Sequence, residues 1–324
     1  MTNLRRGFLA LAVAGLLAAG GPQAVAQPLR LAHQFREASS AGRVANELAA
    51  GLADEGLTIK VFPNGRFGDA PANLRQIATD ELDLTIGGSL AIGYLAPEYR
   101  SLLIPFLFDR PDEMLAVAEG PIGREMTAGW PDRFNLVVLG WFYSSPRVIA
   151  AVRPIRSPDD LKGLKLRVGG DDAWINFFAR AGAQVAVRLP LEIEAAVRAG
   201  VIEAAELPVE ALLNNAFAQA FQAVAWTAHH YETMFIGISA SRLAGLSAAQ
   251  RQALEGRAAA IARSATRRGL DADAGLAQRV AGNGLAVNAF DPAALRPEIP
   301  KVAEGLSGPR GTDLIARVRA QFGR

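Results

Sequence analysis
Between Gly163 and the pair Gly169-Gly170, Leu164, Leu166 and Val168 alternate with Lys165 and Arg167. A period of two marks a strand with one buried face. Similar short apolar runs punctuate the chain, separated by longer stretches with helical spacing. Residues 29–33, 58–62 and 83–86 predict strands, with helices over 39–54 and 70–80 between them. Strands are predicted again over 136–141 and 148–152. Ser157-Pro158-Asp159-Asp160 reads as a helix start, with Ser at the cap, Pro at the first position and acids in the first turn. Beyond the strand ending at Val168 come a helix over 171–181, a strand over 184–187, a helix over 191–199 and a strand over 201–205. Ser247 caps a long Ala/Arg-rich helical stretch toward Gly282, in which Gly256, Gly269 and Gly275 permit breaks.

This alternation of strands and helices implies an α/β fold of mostly parallel sheet with helices on both faces, divided into two lobes. Ligands in open α/β sheets bind outside the carboxyl ends of the strands. Arg167 and Gly88-Ser89 both fall at such ends. Arg167 would be held at a strand tip, and Gly169-Gly170 would let a ligand approach the helix N-terminus behind it.

The first 26 residues change the picture of charge. Arg5 and Arg6 precede an apolar run over 8–19 that is too short to span a bilayer, and Ala24-Val25-Ala26 has the form of a cleavage site. We read residues 1–26 as an export signal cleaved near Ala26, which places the mature chain in the periplasm. Residues 4–9 also partly match a twin-arginine signal. Taking the two arginines of this segment from the 34 basic residues leaves 32, against 32 acidic ones. The remainder is balanced, so charge selectivity must be local, and nucleic acid is not an expected partner. Cysteine is absent, which excludes disulfides and thiolate metal sites.

Arg167 stands out chemically because a guanidinium meets a carboxylate with two parallel hydrogen bonds and fixes its orientation. The pattern equally suits a solvated arginine on a polar strand face. Arg147 follows Trp141, Phe142 and Tyr143 and offers a second cation near aromatics, or an ordinary turn. His33, His229 and His230 have no metal-ligand spacing, and they read as structural. No nucleophile elbow, phosphate loop or dinucleotide fingerprint is present. Neither cofactor nor metal is expected. Glu203 and Glu206 form a close acidic pair that a hydrolase could use, but a strand-end pair at the lobe interface is the simpler reading.

Several segments in order resemble the DctP-like solute receptors of TRAP transporters. They are Val61-Phe62-Pro63-Asn64-Gly65-Arg66-Phe67-Gly68-Asp69, Ile104-Pro105-Phe106, the run from Pro158 to Val168, Gly182-Ala183, and the run from Gly200 to Glu206. The resemblance implies a two-lobed periplasmic binding protein fold with a cleft between the lobes and a long bracing helix. Lobe I would comprise residues 27–144 and 233–272, and lobe II residues 145–232 and 273–324. The chain would cross near residues 145, 232 and 272. It also implies that Arg167 binds a ligand carboxylate, that Arg147 supplies a second cation, and that Gln34, Asp69, Gly88, Ser89, Gly170 and Leu207 line the pocket. The partners implied are a small organic acid and the small and large membrane subunits of the transporter. Gly170 and Leu207 depart from the Asn that members binding polyhydroxylated acids often carry. Trp141, Tyr143 and Trp174 could add apolar surface. These departures point to a less hydroxylated acid, such as a keto, aliphatic or aromatic carboxylate. A receptor for an ABC importer or a sensor kinase, and an exported enzyme using Glu203 and Glu206, are the alternative readings.

Overall fold
A computed structural model describes residues 27–214 and 216–324. The expected export signal lies outside the described residues. The chain opens as β1 (Leu29–Ala32), α1 (Ser40–Gly51), β2 (Ile59–Phe62), α2 (Ala70–Ala78), β3 (Leu84–Gly88) and α3 (Leu90–Leu95). Helices α4 (Pro111–Glu119), α5 (Pro121–Thr127) and α6 (Trp130–Phe134) lead into β4 (Leu136–Ala151). Next come β5 (Lys165–Val168), α7 (Asp172–Arg180), β6 (Gln184–Val187), α8 (Ile193–Arg198), β7 (Ala204–Pro208) and α9 (Val209–Asn214). The remainder is β8 (Ala223–Trp226), β9 (Tyr231–Ser239), α10 (Ala240–Ala244), α11 (Ala248–Gly282), β10 (Ala286–Ala289) and α12 (Glu298–Gln321).

The main strand order is β2-β1-β3-β9-β4-β7-β5-β6, with β8 pairing β4 and β10. β4 joins the two halves of this sheet. From Leu136 to Pro146 it runs antiparallel to β9, and from Arg147 onward it pairs β7 and β8. Pro146, which has no N–H for a ladder, falls at the exchange. The sequence predicted two strands here, with a turn at Ser144-Ser145-Pro146. The structure has one strand, because residues 141–151 are buried along their whole length and show no alternating polar face. Two register shifts, at Val138/Gly140 and Tyr143/Ser145, absorb the irregularity.

Other expectations differ in detail. Ser157 does start a helical segment, with Asp160 accepting its backbone N–H, but the segment is a single 3₁₀ turn over Pro158–Leu161. The last strand of the middle region begins three residues later than predicted, at Ala204, because Gly200 turns the chain in a left-handed conformation with φ 66°. α11 runs 35 residues without a break. At Gly269 a β-carbon would stand 2.9 Å from the Tyr143 carbonyl oxygen, so this glycine lets the helix press against β4.

Two cores flank the sheet's two halves. One gathers Leu31, Val44, Leu48, Leu84, Ile236, Leu254 and Ile261. The other gathers Val148, Ala205, Leu207, Val209, Leu212, Leu276 and Val280. α11 contributes its first part to one and its last part to the other, and so braces both. A larger cluster crosses between the halves, from Trp130 and Phe235 to Trp174, Phe177 and Val318.

Candidate functional site
Arg167 is the third residue of β5, between Ala186 of β6 and Ala205 of β7 in the parallel ladders. These small neighbours leave the arginine space near the carboxyl end of β5. Its Nε–H donates to the Arg188 carbonyl at 2.9 Å, and Nη1 donates to the Glu206 carbonyl at 3.0 Å. The residue is 6% exposed. Among the described residues no carboxylate lies within ion-pair distance of it. Burial lowers its pKa to about 10, with Glu206 opposing the shift and Arg147 adding to it. A guanidinium held by two carbonyls keeps three N–H donors and a full positive charge for something else.

Arg147 sits where β4 exchanges partners, its N–H donating to the His230 carbonyl at 2.8 Å. Its guanidinium forms ion pairs with Glu206 and Glu232, and Nη2 donates a further bond to Glu206 at 3.1 Å. The face of the guanidinium lies 4.0 Å from the Trp174 ring centroid, a cation–π arrangement. Burial opposes its charge, but Glu206 and Glu232 outweigh burial and raise its pKa.

Glu206 is fully buried. Burial alone would favour its neutral form, yet Arg147 and His229 hold it well below the usual carboxylate range. An ionised carboxylate only accepts, so His229 donates through Nε2 at 3.1 Å and its Nδ1 accepts from the Thr227 hydroxyl at 2.7 Å. Burial lowers the His229 pKa and keeps the ring neutral.

Gly88 and Ser89 close the other side. A β-carbon on Gly88 would stand 2.6 Å from Glu232 Oε1. The same oxygen accepts the Ser89 N–H at 3.3 Å, and the Ser89 hydroxyl meets His230 Nε2 at 3.2 Å. Trp174 is buried beneath Arg147, with its indole N–H donating to the Leu103 carbonyl at 2.6 Å. The N-cap of its helix, Asp171, accepts the Ala173 N–H at 2.8 Å and pairs with Arg100 at 3.2 Å. Burial raises Asp171 to about 6 despite Arg100.

Gly170 stands at the mouth. The space a β-carbon would take there is 3.6 Å from Val187 and 4.0 Å from the Tyr94 hydroxyl. Tyr94 is 54% and Val187 46% exposed, so this rim, one phenol and one aliphatic side chain, spans α3 and β6. Gln34 and Asp69 lie outside the buried cluster, at the start of α2. Gln34 accepts the Ala70 N–H at 3.0 Å, and Asp69 accepts the Ala72 N–H at 2.9 Å. Leu207 turns to the opposite face of β7 from Glu206 and packs in the core with Val148 and Val209. Trp141 and Tyr143 are buried too, and the Tyr143 hydroxyl donates to Asp273 at 2.8 Å.

Sequence reasoning did not single out Glu232, Tyr94 or Val187. Glu232 carried one signal, an isolated acid in the otherwise uncharged run Tyr231 to Ser239. Glu203 and Glu206 do not work as a pair. Glu203 accepts the Lys165 N–H at 3.2 Å on the outside of the sheet, whereas Glu206 faces Arg147.

The profile of DctP, bacterial extracellular solute-binding protein, family 7, matches residues 31–304. The chain belongs to this family. This makes it a receptor of the TRAP-transporter type. The receptor is 27% identical over 256 residues to the 2,3-diketo-L-gulonate-binding periplasmic protein of Escherichia coli K12, covering 78% of each chain. It is 25% identical over 191 residues to the sialic acid-binding periplasmic protein of Vibrio cholerae, covering 59% of this chain and 60% of that one. Its fold matches a TRAP solute-binding protein of Chromohalobacter salexigens with bound D-glucuronate, at TM-score 0.84 and 23% identity, over 90% of this chain and 99% of that one. A Bordetella receptor whose density was attributed to pantoate matches at TM-score 0.82 and 24% identity, over 90% and 98%. These neighbours share the two-lobed architecture. The expected α/β, two-lobed periplasmic binding protein fold is therefore the observed one, and solute-binding proteins rather than enzymes are its relatives.

Proposed function
We propose that this protein is a periplasmic receptor that binds a small organic acid through Arg167 and delivers it to the membrane subunits of a TRAP transporter. One observation carries the reading. Arg167 is a buried cation with no carboxylate partner among the described residues, and its position is fixed by two backbone carbonyls. A buried charge left without a counter-ion is unfavourable, and a ligand carboxylate removes that cost. The side-chain carboxylate of Glu206 is bonded to Arg147 and acts on Arg167 only as a longer-range charge, while the Glu206 carbonyl makes the direct bond to Arg167.

Arg147 takes a different part. Matched by Glu206 and Glu232 and seated on Trp174, it sets the shape and field of the floor beneath the ligand. Gly88, Ser89 and Gly170 supply bare backbone around it. The relatives named above bind 2,3-diketo-L-gulonate, sialic acid, D-glucuronate or, by its density, pantoate, and each of these is an acid. Gly170 offers no side-chain amide, Leu207 is turned into the core, and Tyr94 and Val187 form the rim. Within this reading the acid is one with few hydroxyls, since unmatched hydroxyls lose their water without replacement.

Ligand-stabilised melting tests both levels. Pantoate, 4-methyl-2-oxopentanoate, D-glucuronate and D-galacturonate are compared with their carboxamides. Stabilisation by an acid and not by its amide is the expected result, with pantoate or 4-methyl-2-oxopentanoate leading. Equal stabilisation by the amides removes the arginine reading. A lead by either uronate keeps that reading and removes the preference for few hydroxyls.

A further inference from the structure
The strand that carries Glu206 runs directly into α9, whose second residue is Glu210. α9 buries Val209 and Leu212 in one core, while α1 buries Val44, Ala45 and Leu48 in the other. Glu210 reaches from the first of these helices to the second. Its Oε1 accepts the Ser40 N–H at 2.6 Å, one of the free donors of the first turn of α1. Its Oε2 accepts the Ser40 hydroxyl at 2.5 Å and the Ser144 hydroxyl at 2.7 Å. Arg43 approaches Oε1 at 3.5 Å, and the Glu210 N–H donates to the Ser145 hydroxyl at 3.3 Å.

These contacts surround a cavity of about 120 Å³ beside the crossing strand, walled by Ala265, Gly269 and Ala272 of α11. One carboxylate therefore meets elements of both cores and the strand between them. It also lies four residues beyond Glu206, the partner of Arg147. The binding floor and this contact are rigidly linked through β7 and the first turn of α9.

The geometry points to Glu210 as a clasp: a positioning residue that sets the balance between the arrangement of the two halves seen here and a more open one. The ligand would act on the same balance from the cleft side, so Glu210 tunes closure without touching the ligand. A ligand or a contact shifts such an equilibrium only through its differential interaction with the two states. The bonds from Ser40 and Ser144 exist only when α1, β4 and α9 are together. This inference does not depend on which acid is bound or on Arg167.

The chain has no cysteine, so two introduced ones report cleanly. Glu81→Cys, beyond α2, and Arg198→Cys, in α8, are exposed positions on the two halves. Spin labels there give the distance distribution between halves, measured alone and with 10 mM pantoate. Glu210→Ala is expected to lower the ratio of short to long distances roughly tenfold, from the loss of several charge-assisted bonds at a partly exposed site. Glu210→Gln, which keeps one carbonyl acceptor, falls between. Superimposable distributions for parent and Glu210→Ala in both conditions overturn the inference, as does a shift to shorter distances. If Glu210→Ala loses its native melting transition, Glu210→Gln and Ser40→Ala carry the same measurement.

Discussion

Arg147 and Arg167 stand 20 residues apart, are equally buried, and should respond oppositely to replacement by methionine. Consider Arg167→Met first. The guanidinium pKa, lowered from 12.5 to about 10, corresponds to about 3 kcal/mol held against its charge in the fold. Methionine releases this. It also strips a donor from the Arg188 and Glu206 carbonyls, at about 1–3 kcal/mol each. The terms oppose each other, so the unliganded variant should match the parent within about 2 kcal/mol. Binding should collapse. Two charge-assisted bonds to a carboxylate contribute about 1.5–3 kcal/mol each, so Kd rises by a factor of roughly 10² to 10⁴. Arg147→Met behaves otherwise. It leaves Glu206 and Glu232 buried and uncompensated, which costs about 3–5 kcal/mol and lowers the melting temperature by roughly 10 °C. Calorimetry of melting without ligand, then titration with whichever panel acid most stabilises the parent, separates the two. If Arg167→Met melts as low as Arg147→Met, or its Kd moves less than tenfold, the division of labour between these arginines is wrong.

Two further substitutions test the surroundings. Gly88→Ala places a methyl 2.6 Å from Glu232 Oε1 and forces an ion-paired carboxylate to move, so melting should show a loss of about 1–3 kcal/mol. Gly170→Ala has no neighbour nearer than 3.6 Å and should melt like the parent; a comparable loss at both glycines would contradict the packing described. His33 is buried, and burial lowers its pKa from 6.5 to about 4 against a smaller opposing effect of the Phe35 backbone. A histidine lowered in this way contributes stability that is complete above pH 6.5 and drains as pH falls toward 4. Between pH 7 and pH 5 the stability of the parent relative to His33→Leu should drop by about 2 kcal/mol, and parallel pH profiles would rule this out.

What could be read from residues alone depended on how local the cause was. The strand carrying Arg167 was legible because Leu164, Leu166 and Val168 alternate with charged residues, and a two-residue period needs no distant partner. Gly88-Ser89 at a strand end was legible for the same reason. The continuity of α11 was not, since glycine lowers helix propensity at three places; what keeps Gly269 in the helix is the approach of Tyr143, over a hundred residues earlier. β4 hid behind Ser144-Ser145-Pro146, whose turn chemistry is overridden by burial on both faces. The identity of Arg147's partners was out of reach. Glu206 and Glu232 come from β7 and β9, and only the exchange of strands at Pro146 brings them to one guanidinium.

That exchange also explains why two similar arginines diverge. A residue at the point where a strand passes from one half of the sheet to the other is surrounded by backbone from both, and any charge there is desolvated. It must be neutralised from within, or the crossing itself becomes unstable; Glu206 and Glu232 do this for Arg147. Arg167 lies two strands further out, near the end of β5, where Gly169-Gly170 follow. There the protein can leave a cation without an internal carboxylate, because carbonyls hold its direction and the ligand completes its charge. The matched arginine stabilises the frame, and the unmatched one makes the frame selective for acids.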